Sequence, residues 1–296
     1  MKIRYLGYAC INTGLGRTTN KTLRLKNLNY DKYFDIVNYN LDSLKDIILW
    51  NQANKINFFR IGSEIIPLAS HRDFNFDWKA DFGDKIKSLR KLAQVSDMRF
   101  SMHPGQYTVL NSLNDNVVFN ALKEIEFHSD FLDFLYPDKG KIVIHIGGVY
   151  GDKISAIERF CKNFYRLSER AQKKLIIEND DKSYNIVDVL EISQKLDIPV
   201  VFDILHHKCN ADFKDNWRLN IIDNIKKVVN SWKGDIPIFH ISSKKGVKGC
   251  SHTDYIEDYD FNEFTDIINN IPVNICCDIM VEAKMKEKAV LRLISQ

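Results

Sequence analysis

The sequence predicts an α/β fold of the (β/α)₈, TIM-barrel type. Three observations predict it. Eight short apolar runs alternate with helix-period segments in unbroken βα order. Each run has strand length, and strands three to eight each place a His, Asp or Glu at or next to the end. No linker rich in Pro, Gly or Ser and no low-complexity tract divides the 296 residues, a length that α/β barrels use for a single core. An open doubly wound sheet is the alternative, but it calls for a Gly-rich phosphate turn after the first strand, and "CINTGLGRTTN" is a weak one. One domain over residues 1–296 is expected.

The candidate strands are 3–9, 57–61, 99–103, 141–146, 174–178, 199–203, 236–241 and 276–282. Helical periodicity places helices at 41–55, 83–97, 115–135, 153–172, 185–196, 216–231 and 260–270. Asp42 or Ser43, Asp115 and Ser183 stand where helix caps are expected. With 45% hydrophobic and 27% charged residues the composition is that of an ordinary globular chain, and the net charge of +3 decides little. No apolar run reaches membrane-spanning length. Residues 3–8 already have strand character, so a signal peptide is not expected. The six cysteines form no CxxC pair. Neither a thiolate zinc site nor a disulfide framework is expected, and a reducing, cytoplasmic location is.

Barrels of this type build their sites at the carboxyl ends of the strands. Here strands three to eight end in turn at His103, His145, Glu178, Asp203, His240 and Glu282, with His206 three residues beyond Asp203. Residues two apart on a strand share a face. Those two earlier are Ser101, Val143, Ile176, Val201, Ile238 and Met280, mostly apolar as a barrel interior requires, so the polar ends point inward above that layer. A single strand-tip histidine is usually structural, and a single carboxylate often caps the next helix. Six in succession, buried together, would be costly without compensating charge. Divalent ions supply that charge, and a nitrogen–oxygen set without thiolate suits manganese, zinc or iron.

His252 in the loop after strand seven adds a further candidate ligand. Of the adjacent pair His206-His207, the Asp203-x-x-His206 spacing favours His206. His71 follows strand two and is an acid–base group, a residue orienting the ligands, or a surface histidine. His128 lies on a helix and reads as structural. Eight candidate ligands suit two or three ions, and ions about 3.5–4 Å apart are the usual device for phosphodiester hydrolysis.

Loops on the same face carry the complement to a nucleic acid. Arg17, Lys21, Arg24 and Lys26 lie in the first loop, and Lys244, Lys245 and Lys248 in the seventh. Together they fit phosphate contacts, although any one alone is more often a solvated side chain. Tyr8, Asn12, Gln106 and Tyr107 complete the face as groups that stack on or hydrogen-bond to exposed bases, with rim packing as the plainer role for the two tyrosines.

The stretches "YLGYACINTGLGRTTNKTLRL", "FFRIGSEIIPLASH", "MHPGQYTVLNS", "IHIGGVYGDK", "IENDD", "VVFDILHH" and "MVEAK" resemble the UV damage endonuclease family along nearly the whole chain. The resemblance implies a barrel with up to three divalent ions, most often Mn²⁺, with Zn²⁺, Mg²⁺ or Co²⁺ as alternatives. It implies nicking of damaged double-stranded DNA immediately 5′ to cyclobutane dimers, 6-4 photoproducts and abasic sites, leaving a 3′-hydroxyl and a 5′-phosphate. By motif, the metal ligands fall on His103, His145, Glu178, Asp203, His206, His240, His252 and Glu282. Catalysis is expected of Glu178, His71 and His145. Gln106 and Tyr107 fall where the family inserts a probe into the duplex, and Tyr8 and Asn12 near the extruded lesion. A monomer is expected. In one respect the chain departs: members of the family can carry a carboxylated lysine two residues before the strand-seven histidine, and Ile238 stands there. Rival readings are an endonuclease IV type enzyme specific for abasic sites, a two-metal sugar isomerase, and a non-catalytic damage-binding protein.

Overall fold

The computed structural model describes residues 1–137, 139–211, 216–246 and 250–296. Its strands are β1 (Lys2–Ala9), β2 (Ile11–Asn12), β3 (Arg17–Thr18), β4 (Phe58–Ile61), β5 (Arg99–Met102), β6 (Lys141–His145), β7 (Leu175–Glu178), β8 (Val200–Asp203), β9 (Ile238–Ile241) and β10 (Cys276–Val281). The helices are α1 (Tyr30–Ala53), α2 (Trp78–Val95), α3 (Asp115–Leu135), α4 (Lys153–Phe164), α5 (Glu169–Lys174), α6 (Ile186–Leu196), α7 (Ile204–Asn210), α8 (Ile221–Ser231), α9 (Asp258–Asn269) and α10 (Glu287–Ile294). Eight parallel strands close a barrel in the order β1-β10-β9-β8-β7-β6-β5-β4, with β4 pairing back to β1. β2 and β3 form a separate antiparallel hairpin in the first loop. All eight expected barrel strands are present.

Two apolar layers hold the barrel. Inside it, Ala9, Phe58, Val143, Ile176, Val201, Trp232, Ile238 and Met280 form one cluster. Five of the six residues expected in the interior layer are among them, and Ser101 is buried as well. Outside, a much larger cluster joins strands to helices. Each fully buried aliphatic or aromatic side chain contributes roughly 1.5–3 kcal/mol. β1 approaches β4 closely enough that a Cβ on Gly7 would sit against the Phe58 carbonyl. At the amino-terminal end, buried Asp278 pairs with Arg4 (2.6 Å) and Arg99 (2.5 Å). That closes the face opposite the ligand-bearing strand ends with compensated charge. Among the described residues, no helix is long and apolar enough to cross a membrane.

Several helix expectations are corrected. α1 begins at Tyr30, not near residue 41, because Asn29 caps it through Lys32 N. Its first turns are anchored by aromatic packing: buried Tyr33 stacks on Phe76 at 4.6 Å and meets Phe74 and Phe82 edge-on. α2 starts at Trp78 behind an Asp77 cap. The expected 153–172 helix is two, interrupted before Ser168, which caps α5 through Ala171 N. The caps of α3 and α6 are Asn114 and Asn185, the latter in a capping box with Asp188. α8 starts at Ile221, five residues later than expected, and α7 and α10 were not expected as helices.

Candidate metal centre

Glu178 lies at the middle of the cluster. It ends β7 with 1% of its surface exposed. Its Oε1 accepts a 2.8 Å hydrogen bond from His240 Nδ1. Its Oε2 lies 3.4 Å from His103 Nε2 and 3.7 Å from His145 Nε2. His206 Nδ1 is 3.5 Å from Oε1. Three overlapping groups have ligand atoms within 4.8 Å of one another: His103, His145 and Glu178; Glu178, Asp203 and His206; Asp203, His240 and Glu282. Seven of the eight expected ligands are therefore together, with Glu178 and Asp203 each shared by two groups. The eighth, His252, is nearby but outside these groups, its Nδ1 3.9 Å from Glu282 Oε2.

The backbone presents these ligands in fixed orientations. His103 Nδ1 donates to Pro104 O (3.0 Å) and His206 Nδ1 to Asn179 O (3.0 Å), which leaves each Nε2 as the nitrogen for a metal ion, once His206 has given up its second proton. Asp203 ends β8 and caps α7 by accepting from His206 N at 2.8 Å. Asn179 clamps β7 to β8: its Nδ2 donates to Asp203 O and its Oδ1 accepts from Asp203 N. His207 turns away, its Nε2 donating to Trp217 O, so His206 is the inward member of the pair. His128 is fully buried on α3, 3.4 Å from Ser63 O.

The electrostatics favour bound cations. Burial opposes charge on Glu178, but His240, His145 and His103 outweigh it and hold the carboxyl well below the usual range. Glu282 is also depressed, with burial overcome by Arg60 and His240. Burial pushes the Asp203 carboxyl up and the His145 imidazole down. Burial would depress His206 too, yet Asp203, Glu178 and Glu282 carry it up to about 9. Buried Glu178 Oε2, Asp203 Oδ2 and His145 Nδ1 have no hydrogen-bond partner among the described residues. Orphaned polar atoms of this kind are costly, and hard divalent cations satisfy such nitrogen and oxygen donors. The residues present fit metal ions.

Two positioning residues escaped the sequence reading. Arg60 on β4 points into the barrel and bonds Glu282 Oε1 (2.6 Å) and His240 Nε2 (2.8 Å). Its signal was a charged residue in phase with inward-facing Phe58 in "FFRIG". Asn179 follows Glu178 directly in "IEND".

The expected DNA-facing residues divide. Gln106 and Tyr107 are exposed on the loop after β5, Tyr107 by 82%. Tyr107 and His71 line a cavity of about 220 Å³ with Ser70, Thr108 and Glu124, and none of the eight candidate ligands lines it. His71 is in none of the three ligand groups. Lys21, Arg24, Lys26, Lys244 and Lys245 are exposed. Arg17 is half-buried, paired with Asp46 at 2.8 Å. Lys248 lies outside the described residues. Tyr8 and Asn12 are corrected: both are completely buried. Tyr8 pairs in register with Phe59 and packs edge-on against it in the outer layer. Its hydroxyl donates to Asn51 Oδ1 and accepts from Asn12 Nδ2. Because neighbours Gly7 and Ala9 pair with inward Phe58 and Arg60, alternation turns Tyr8 toward the helices, away from any ligand.

The cysteine expectation is also corrected. Cys209, near the end of α7, is disulfide-bonded to Cys250, 41 residues on, with Cα atoms 6.8 Å apart. The bond ties the segment bearing His206 to the loop bearing His252. A pairing across the fold leaves no spacing signature.

A family model described as UV-endonuclease UvdE matches residues 4–296. The UV DNA damage endonuclease of Clostridium perfringens (strain 13 / Type A) is 40% identical over 295 residues, covering 98% of this chain and 70% of that protein. The crystal structure of SacUVDE matches with a TM-score of 0.89 at 35% identity, over 98% of this chain and 96% of that one. Endonuclease IV from Thermus thermophilus has a TM-score of 0.63 at 12% identity, over 98% and 97%, a likeness of fold alone.

Proposed function

Because this chain belongs to the UV-endonuclease UvdE family, we propose that it is a divalent-metal-dependent DNA repair endonuclease that nicks the backbone 5′ to UV photoproducts. The products are a 3′-hydroxyl and a 5′-phosphate. The substrates are cyclobutane dimers and 6-4 photoproducts, with abasic sites as a further class, and the whole barrel of residues 1–296 acts as one monomeric unit. The observation that carries this reading is the set of three ligand groups joined through Glu178 and Asp203.

His103, His145, Glu178, Asp203, His206, His240, His252 and Glu282 would hold two or three ions, Mn²⁺ first, with Zn²⁺, Mg²⁺ and Co²⁺ as alternatives. When bound, the ions supply positive charge and Lewis acidity at the scissile phosphate. The chain supplies orientation and proton control. Glu178 and Asp203, each a member of two ligand groups, would help to hold the ions in one cluster. The Nδ1 donations of His103 and His206 hold their rings in place. His145 would border the reacting phosphate, and His71, which lines a cavity with Tyr107, would exchange a proton with the bound substrate. Arg17, Lys21, Lys244 and Lys245 neutralise flanking phosphates. Gln106 and Tyr107 enter the stack where damage has weakened it, which lowers the few kcal/mol that base extrusion costs.

The test is a nicking assay on labelled duplexes bearing a cyclobutane dimer, a 6-4 photoproduct, an abasic site or no lesion, with Mn²⁺ or EDTA. Cuts immediately 5′ to the photoproducts are expected, abolished by EDTA and by Glu178→Gln. Cutting at the abasic site alone, or cutting that survives EDTA, overturns the proposal.

A further inference from the structure

Arg60 is the fixed cation inside the ligand cluster. A guanidinium does not lose its proton in proteins and can only donate hydrogen bonds. Its Nη2 contact at 2.8 Å therefore obliges His240 Nε2 to accept, and His240 Nδ1 then carries the proton given to Glu178 Oε1. Both nitrogens of His240 are engaged by the chain itself. Glu282 Oε1 is engaged too, at 2.6 Å from Arg60 Nη1. The other two groups differ. His103 and His206 turn Nδ1 to carbonyls and leave Nε2 open, and Glu178 Oε2 and Asp203 Oδ2 have no hydrogen-bond partner among the described residues. Arg60 Nε is likewise buried without one, so the hydrogen bonds of this guanidinium go to two candidate metal ligands, Glu282 and His240.

We infer that Arg60 is a resident counter-cation for the His240–Glu282 corner and competes there with a divalent ion. An ion entering that corner meets a buried unit positive charge a few ångströms away and must displace the guanidinium from His240 Nε2. The corner then fills last and most weakly, after the groups built on His103 and His145 and on Asp203 and His206. In metal-free protein the same guanidinium offsets one of the three clustered carboxylates, Glu178, Asp203 and Glu282, and keeps the unloaded cluster folded.

This inference rests on the metal-dependent reading, and the experiment separates the two. Mn²⁺ is titrated by calorimetry, with free Mn²⁺ counted by electron paramagnetic resonance, into metal-free wild type, Arg60→Gln and Arg60→Lys. Thermal unfolding of each is followed in EDTA and in saturating Mn²⁺. Wild type is expected to show a weaker final binding class. Arg60→Gln tightens that class alone, on the order of tenfold or more, while Arg60→Lys, which keeps the charge, stays near wild type. The unfolding midpoint of Arg60→Gln falls in EDTA and returns toward wild type in Mn²⁺, since binding to the native state alone stabilises it. Unchanged or weaker Mn²⁺ binding in Arg60→Gln overturns the inference, as does failure of that variant to fold even with Mn²⁺. If none of the three proteins binds Mn²⁺, the metal-dependent reading itself falls and takes the inference with it.

Discussion

Glu178 and His240 share a 2.8 Å carboxylate–imidazole hydrogen bond in which each side chain keeps only 1% of its surface exposed. They belong to different ligand groups, linked through Asp203, so one carboxylate ties the whole cluster together. Glu178→Gln keeps the shape and removes the charge from two of the three groups. Mn²⁺ affinity and nicking rate are expected to fall at least about 100-fold. Calorimetry beside the lesion assay checks this, and normal Mn²⁺ binding in the variant would place Glu178 outside the metal set.

Metal-free protein is expected to lose stability as the solution turns alkaline. His206 titrates at about 9 in the fold against an ordinary 6.5. A raised pKa means the folded state favours the proton, so the contribution is fully present below about 6.5 and lost as pH rises through about 9. Its size is about 3 kcal/mol. Glu178 and Glu282 are shifted the opposite way; their contribution is present above the ordinary carboxylate range and adds no slope in this window. Mn²⁺ must displace the His206 proton, so its affinity should rise over the same window. Unfolding midpoints in EDTA at pH 6.5, 7.5 and 9 read the first effect, and a flat or rising series contradicts it.

The barrel was legible because its strands are short apolar runs with polar tips, and Val143, Ile176, Val201, Ile238 and Met280 form the interior layer that their positions implied. What was not legible depended on contacts across the fold. Tyr8 looked like a surface ring until pairing with β4 fixed the phase of β1. Arg60 gave no local sign of its role, because its partners Glu282 and His240 lie about two hundred residues away, at separations of 222 and 180. The start of α1 was hidden because its first turns are stabilised by Phe74 and Phe76 from a later loop.

Tyr107 separates recognition from stability. It is 82% exposed, so Tyr107→Ala is expected to leave folding within about 0.5 kcal/mol of wild type. Loss of a base-stacking ring costs about 1–3 kcal/mol, roughly five- to 150-fold in affinity. Binding to lesion and undamaged duplexes, with Ca²⁺ in place of Mn²⁺ to suppress cutting, provides the measurement. A lowered unfolding midpoint with unchanged affinity would make Tyr107 structural.

The Cys209–Cys250 bond gives a direct count. Thiol titration of the denatured, unreduced chain is expected to find four thiols, at Cys10, Cys161, Cys276 and Cys277, and six after reduction. Breaking a cross-link across 41 residues is expected to lower stability by about 4 kcal/mol on the chain-entropy account. Six thiols before reduction would refute the pairing.

Ile238 tests how the centre is completed. It is fully buried in the interior cluster with Val201 and Met280, pairs in register with Asp278, and stands two residues before His240, where members of the family can carry a carboxylated lysine. An isoleucine offers no ligand and no charge, so this position supplies only apolar packing to the layer beneath the centre. Ile238→Lys puts an ammonium into that layer, and in metal-free protein the uncompensated charge is expected to cost about 3–5 kcal/mol. With bicarbonate and Mn²⁺ present, carboxylation would turn the cation into an anionic ligand aimed at His240 and Asp203. The variant should then recover stability and change its Mn²⁺ stoichiometry or its preference among Mn²⁺, Zn²⁺ and Co²⁺. Identical stoichiometry, preference and nicking rate in the two proteins would show that this position does not set the metal content of the centre.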